Sequence, residues 1–132
     1  GLRLNKRAIH AYAQSMMEKY DVRATSDSQS VRELSGGNQQ KVIIARELES
    51  GPSILVMAHP TRGLDIGATS FVHDQMIAAR ARGVGILLIS ADFDEILEMS
   101  DRIVVCFEGR IMGEFSGSKP PINEISLAMT GK

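Results

Sequence analysis

Apolar residues recur at helical spacing in several segments of the chain. In residues 6–20 they return every three or four positions, which indicates an amphipathic helix; they are Ile9, Tyr12, Ala13, Met16, Met17 and Tyr20. The Met16–Met17 pair is interpreted as helix packing or, alternatively, as a binding face. Similar patterns predict helices in "VIIARELE", "FVHDQMIAARARG" and "DFDEILEMS". A last helix is predicted after the prolines of "KPPINEISLAMTGK".

Short continuous apolar runs separate these helices and predict strands. "ILVMA" and "VGILLIS" are typical of strands buried on both faces. "RIVVCF" predicts a third strand, and "EGRIMGEF" predicts a tight turn into a fourth. The alternation of strand and helix indicates an α/β fold with a largely parallel sheet. No strand precedes the helix in residues 6–20, so we expect the chain to be the later part of a larger domain.

The composition narrows the class of protein. With 132 residues, 43% of them hydrophobic, the chain suits one soluble domain or a large piece of one. We find no secretory signal and no apolar run near the roughly 18 residues that span a bilayer. A net charge of −1 argues against nucleic acid as a partner. The single Cys106 is predicted to be a buried core residue, compatible with a reducing compartment.

The string "LSGGNQQK", residues 34–41, directly precedes a predicted helix. Ser35 suits an N-cap, and Gly36 and Gly37 let the backbone approach a ligand without an intervening Cβ. Free N–H groups and the helix dipole at such an end favour a phosphate. An ordinary capped helix after a flexible loop explains the same three residues.

The whole string resembles the signature motif of ABC-type ATPases, and "GNQQK" is similar to the ATP-binding subunits of bacterial importers for simple sugars and nucleosides. "ILVMAHPTRGLDIGA" resembles that family's Walker B strand and D-loop, and "ILLISADFDEILEMSDRIVVCFEGRI" its switch-loop segment and following strands. The resemblance implies a partial P-loop NTPase domain. Its expected parts are the end of the helical subdomain (1–33), part of the ATPase core (34–115) and a C-terminal helix (116–132).

The nucleotide site of that family is composite, with the signature of one domain facing the ATP bound by another. By resemblance, this chain contributes to such a site with Ser35, Gly36, Gly37 and Gln39. Asp65 matches the D-loop aspartate that couples the two sites, and its alternative role is to cap the next helix. Arg62 contacts the partner or is a solvated surface residue. His10 and His73 lack metal-like spacing and are predicted to be structural or surface residues.

Three positions depart from the family pattern. Ala58 and His59 stand where the resemblance implies an aspartate that organises Mg²⁺ and a glutamate that activates water. Ala91 stands where it implies the switch-loop histidine. His59 is interpreted as a partly buried or interfacial residue, with a general base as the alternative. The three losses predict a degenerate site without catalytic residues or a metal.

The 132 residues also contain no Walker A pattern "GxxxxGK[ST]". The isolated chain is therefore expected neither to bind ATP tightly nor to hydrolyse it, whereas the full-length protein is expected to use ATP and Mg²⁺.

The resemblance implies the second nucleotide-binding domain of an importer subunit for simple sugars or nucleosides. Its expected partners are the first nucleotide-binding domain of the same subunit, the membrane permease subunits and, indirectly, a periplasmic or lipoprotein substrate-binding protein. The expected location is peripheral, on the cytoplasmic face of a bacterial inner membrane. The alternative is a non-catalytic interaction or regulatory module of a non-transport ABC ATPase. That module would be expected to carry a basic patch or a coiled-coil insertion, and the sequence contains neither.

Overall fold

The computed structural model describes residues 4–132 and has an α/β architecture. Its helices are α1 (Lys6–Lys19), α2 (Gly36–Glu49), α3 (Ile66–Ala81), α4 (Phe93–Met99) and α5 (Ile122–Ala128), with a short 3-10 helix at Val31–Glu33. Its strands are β1 (Ile54–Ala58), β2 (Gly85–Ile89), β3 (Arg102–Phe107) and β4 (Arg110–Ser116). These elements confirm the predicted helices and strands, although α3 begins earlier than its pattern suggested and the predicted loop before α2 contains the 3-10 turn.

The described residues form two compact units, which meet between Leu87 and Leu88 in the sequence. The first three residues of the predicted segment 1–33 lie outside the described residues. Across residues 4–132, no helix combines the length and apolar character needed to cross a membrane.

The core of the first unit is built mainly by α2 and α3, which contact each other. Both helices bury side chains spaced three or four positions apart, as expected for amphipathic helices that pack together. The buried residues are Ile44, Ala45 and Leu48 on α2, and Ala68, Val72, Met76 and Ala79 on α3. This packing fixes the N-terminal end of α2 against the first turn of α3.

The end of α1 is attached to the end of α2 through Glu49. The Tyr20 hydroxyl donates to Glu49 Oε1 at 2.7 Å, and Lys19 Nζ donates to the same oxygen at 2.6 Å. Burial, with the neighbouring Glu49 carboxylate, raises the pKa of Tyr20 to about 12. The hydrogen bonds from Lys19 and Tyr20 lower the pKa of Glu49. The phenol therefore stays protonated and keeps this link at neutral pH.

β1 and β2 form a parallel pair, and the Gly85 N–H donates to the Ser53 carbonyl at 2.9 Å. Met57 is buried, but Ile54 and Val56 are 71% and 60% exposed. Leu87 and Ile89 of β2 are also 55% and 46% exposed, so the prediction that β1 and β2 are buried on both faces is wrong for the described chain. A parallel strand with apolar side chains on both faces needs a packed layer against each face. The exposed fractions show that only the face carrying Met57 is packed against other residues.

The second unit contains the antiparallel pair of β3 and β4. Glu108 and Gly109 connect the strands and have φ values of 46° and 76°, as a two-residue type I′ turn requires. The predicted tight turn into a fourth strand is confirmed. Within the described residues β3 pairs with β4, so this part of the structure is antiparallel rather than an extension of a parallel sheet.

The core of the second unit lies between this hairpin and α5. Ile103, Val105, Ile125 and Ala128 are buried together, and Phe93 and Phe115 are among the side chains that pack against them. Cys106 is exposed, so its predicted burial is wrong. Strand alternation directs Ile103 and Val105 to one face, and the register shifts between Val105 and Cys106, which leaves the thiol outside the core.

Candidate nucleotide-contact site

Ser35 is the N-cap of α2, as the sequence predicted. Its backbone is extended, with φ −60° and ψ 155°, and its Oγ accepts from the Asn38 N–H at 3.4 Å. The Ser35 carbonyl accepts the first bond of the helix from the Gln39 N–H at 2.9 Å. Because the Ser35 side chain is exposed, its hydroxyl lies at the solvent-facing end of the helix, where the helix dipole favours an anion.

The two glycines after Ser35 have different surroundings. A Cβ on Gly36 would meet no atom within 4 Å, whereas a Cβ on Gly37 would lie 3.0 Å from the Ala68 Cβ of α3. Gly36 therefore leaves open space at the first turn of α2. Gly37 instead allows α2 and α3 to pack closely, a role that the sequence does not reveal.

Asn38 lies at the candidate site beside Ser35, and sequence reasoning missed it. Its Nδ2 donates to Ser35 Oγ at 3.1 Å, and its Oδ1 accepts from the Arg23 N–H at 2.8 Å. The available signal was its position three residues after the N-cap, from which a polar side chain can reach back to the cap. Asn38 connects Ser35 to the loop that follows α1.

Gln39 was predicted to contact nucleotide together with Ser35. Its Nε2 donates to the Leu34 carbonyl at 2.9 Å, and the side chain is half-buried. The amide therefore supports the turn that precedes the helix. A nucleotide contact by Gln39 stays a prediction.

Asp65 is the N-cap of α3. Its Oδ1 accepts from the Ala68 N–H at 2.8 Å, which confirms the capping role proposed as one alternative. Ala68 is also the residue against which Gly37 packs. Asp65 and Gly37 thus both contact Ala68, while coupling of two sites through Asp65 stays a prediction.

Ala58 is the last residue of β1 and His59 follows it, and neither carries the carboxylate that the family pattern implies. Both are exposed, so His59 is not partly buried, while its alternative place at an interface stays a prediction. The strand ends at Ala58, and His59 has φ 50°, a left-handed conformation that histidine adopts more readily than most residues. The His59 carbonyl accepts from the Arg62 N–H at 3.2 Å, so this residue opens a turn with its side chain in solvent.

Ala91 lies in the second unit between β2 and α4, where its exposed methyl group offers no hydrogen bond. The next residue, Asp92, caps α4 by accepting from the Asp94 and Glu95 N–H groups. His10, exposed on α1, contacts the Asp27 carboxylate through its Nδ1, consistent with a surface role. Over residues 4–132, no cluster of three or more His, Cys, Asp or Glu side chains is arranged to hold a metal ion.

Met16 and Met17 are half-buried and line a groove between α1, α2 and the loop that joins them. The groove has a volume of about 430 Å³ and is also lined by Tyr12, Leu34 and Val42. The pair is therefore turned toward α2, and part of its surface remains accessible.

Comparison with known proteins shows extensive similarity to import subunits. No family model matches the chain. It is 44% identical over 128 residues to the nucleoside import ATP-binding protein NupA of Lactococcus lactis and, separately, to the guanosine import ATP-binding protein NupO of Bacillus subtilis. Each match covers 97% of the chain and 25% of the relative. The chain thus spans about a quarter of the length of these curated relatives.

Solved structures give the same picture for the fold. A nucleotide-free ATP-binding cassette from an ABC transporter is 28% identical with a TM-score of 0.71, and the match covers 91% of this chain and 46% of that one. An ABC transporter cassette in its ADP conformation is 25% identical with a TM-score of 0.73, over 99% of this chain and 52% of that one. These likenesses confirm the predicted fold class and the resemblance on which it was based.

Proposed function

Because this chain has the fold of the ABC ATPases and a sequence similar to the ATP-binding subunits of sugar and nucleoside importers, we propose that it is part of such a subunit. Its role there is to present its signature residues to an ATP held by another nucleotide-binding domain. The observation that carries this proposal is the exposed N-cap Ser35, followed by the open position at Gly36.

The residues at the start of α2 fit a phosphate. The hydroxyl of Ser35 can donate, the backbone at Gly36 is unobstructed, and the helix dipole adds partial positive charge. Bound ATP supplies γ-phosphate oxygens, which only accept hydrogen bonds. Donors fixed before the ligand arrives stabilise transferring phosphate without reorganisation, because the helix already holds them in place.

The residues at the end of β1 do not fit a magnesium site. Mg²⁺ prefers oxygen ligands, and Ala58 supplies a methyl group while His59 supplies nitrogen. Ala91 adds no polar group. We therefore propose that this chain does not catalyse hydrolysis at its own Walker B positions, and that ATP and Mg²⁺ act at the site to which it contributes its signature. Asp65 and Gln39 are proposed to assist at that shared site.

The same relatives support a proposal for the partners, the cargo and the location of the complete subunit. The proposed partners are the first nucleotide-binding domain of the same subunit, the membrane permease subunits and, indirectly, a periplasmic or lipoprotein substrate-binding protein. The proposed cargo is a simple sugar or nucleoside, and the proposed location is the cytoplasmic face of a bacterial inner membrane. The segments 1–33, 34–115 and 116–132 are proposed as subdomain end, core part and terminal helix. The names of the relatives favour this reading over a non-transport regulatory module.

The isolated chain is expected to show neither tight Mg-ATP binding nor ATP turnover. Its 132 residues lack the "GxxxxGK[ST]" loop, and its Walker B positions carry no carboxylate. Isothermal calorimetry with Mg-ATP and a phosphate-release assay measure both quantities, with circular dichroism as the check on folding. Sub-micromolar binding or steady turnover by the folded chain would contradict the proposed degeneracy.

Restoring the family residues is expected to raise hydrolysis only modestly. In the complete subunit, the double variant Ala58→Asp/His59→Glu still has alanine at position 91, which cannot form a hydrogen bond. Turnover should therefore rise by no more than about twofold, which is the gain that one added active site would give. His59 has φ 50°, a conformation less suited to glutamate. Steady-state phosphate release compares the double variant with one that adds Ala91→His. Full activation by His59→Glu alone would show that the other two positions do not limit this site.

A further inference from the structure

The Ser35 hydroxyl oxygen accepts two hydrogen bonds from one neighbour, Asn38. Both the Asn38 N–H, at 3.4 Å, and the Asn38 Nδ2, at 3.1 Å, point their hydrogens at Ser35 Oγ. We propose that Asn38 is a positioning residue that makes the Ser35 hydroxyl an obligatory donor toward a phosphate. This inference rests on the composite site proposed above and assigns a role that the signature serine and glycines do not explain.

The reasoning starts from the capacity of a hydroxyl group. A serine oxygen has two lone pairs and one O–H. Two donors from Asn38 occupy the acceptor capacity of Ser35 Oγ, so a further partner of this hydroxyl must accept its hydrogen. A phosphate oxygen is such an acceptor, and it cannot donate when ionised. The arrangement therefore leaves the Ser35 hydroxyl as a donor at the exposed end of α2, where the helix dipole favours an anionic acceptor over a neutral one.

The orientation of the Asn38 amide is itself fixed by a backbone group. Asn38 Oδ1 accepts from the Arg23 N–H at 2.8 Å, so the oxygen faces the loop and Nδ2 must face Ser35. A flipped amide would place Nδ2 against the Arg23 N–H, donor against donor.

The loop that supplies this N–H is attached to α2 at a second point. Lys41 Nζ donates to the Asp21 carboxylate at 2.6 Å and to the Asp21 carbonyl at 2.8 Å. Lys41 lies three residues after Asn38 on the same helix, so the two side chains hold residues 21–23 together. The Lys41 hydrogen bond also lowers the pKa of the Asp21 carboxyl, which keeps it ionised at neutral pH.

The amide is essential to this role because aspartate would reverse it. Asn38→Asp keeps the size of the side chain and an acceptor for the Arg23 N–H. It replaces the donor facing Ser35 with a carboxylate oxygen, to which the Ser35 hydroxyl would then donate. A negative charge also stabilises the first turn of a helix, so loss of folding is not expected.

The test measures kcat and KM for ATP in the complete subunit carrying Asn38→Asp, Asn38→Ala or Ser35→Ala, and in the Asn38→Ala/Ser35→Ala double variant. Asn38→Asp should lower kcat by at least about tenfold with little change in KM, because another domain binds the nucleotide. Asn38→Ala should lower kcat by a smaller factor. In the Ser35→Ala background it should cause almost no further loss, since a double-mutant cycle reports whether one residue acts through the other.

Each outcome decides a different question. Normal kcat in Asn38→Asp, or an equal loss from Asn38→Ala with and without the Ser35 hydroxyl, overturns the positioning role and leaves the composite site intact. Normal kcat in Ser35→Ala overturns the composite site and this inference with it. Thermal unfolding of each variant identifies losses that come from folding; if Asn38→Ala unfolds early, Asn38→Asp alone decides by its split between kcat and KM.

Discussion

Ser35→Arg in the complete subunit is expected to abolish most ATP hydrolysis and substrate uptake, with turnover falling by a factor on the order of 10²–10³, the usual cost of losing donors around a transition state. The guanidinium would displace the hydroxyl at the start of α2 and obstruct the open backbone at Gly36. The loss would occur although Ser35 lies in the same chain as Ala58 and His59, the two positions proposed to be catalytically degenerate. Phosphate release at saturating ATP measures it.

His59→Ala is the matched control for this result. His59 is exposed and opens a turn after β1, and the proposed function gives it no part in hydrolysis, so turnover should change little. Circular dichroism establishes that both variants fold. Normal hydrolysis by folded Ser35→Arg would rule out the composite-site assignment, and a loss above about tenfold in His59→Ala would restore the general-base role.

Gly36→Val is expected to lower turnover by a factor on the order of 10² while leaving the fold intact. A Cβ at Gly36 meets no protein atom within 4 Å, so the added side chain starts in open space at the position where the proposed function places a phosphate. At Gly37 a Cβ would lie 3.0 Å from the Ala68 Cβ. Gly37→Ala should therefore act on stability, lowering the free energy of unfolding by about 1 kcal/mol as overpacking outweighs the gain in helix propensity.

Thermal unfolding and phosphate release on both variants separate the two roles. Ala68→Gly tests the packing contact directly, since the destabilisation by Gly37→Ala should shrink when the Ala68 methyl is removed. If Gly36→Val hydrolyses ATP normally, a phosphate does not approach this position. If Gly37→Ala is fully stable with Ala68 present, α2 and α3 tolerate the added methyl and the packing argument is wrong.

Local features of this protein could be read from the sequence because neighbouring residues determine them. Helical periodicity predicted α1 to α4, and the prolines before it predicted α5. Serine or aspartate before a helix predicted the caps at Ser35 and Asp65. The turn between β3 and β4 followed from the same kind of short-range preference. The motif strings gave the fold family, since a resemblance over consecutive residues needs no knowledge of how distant segments meet.

Tertiary structure decided what depends on residues far apart in the chain. Sequence alone treats Gly36 and Gly37 alike, and only the approach of α3 gives Gly37 a packing partner while leaving Gly36 open. Asn38 acquires its orientation from the backbone of Arg23, fifteen residues earlier. Cys106 was predicted to be buried and His59 to be partly buried or interfacial, yet Cys106 follows a register shift in β3, His59 lies in a left-handed turn, and both are exposed. The sequence thus determined which residues are candidates for the proposed phosphate site, and packing determined which of them are open to solvent at the start of α2, because that exposure depends on contacts that no local pattern encodes.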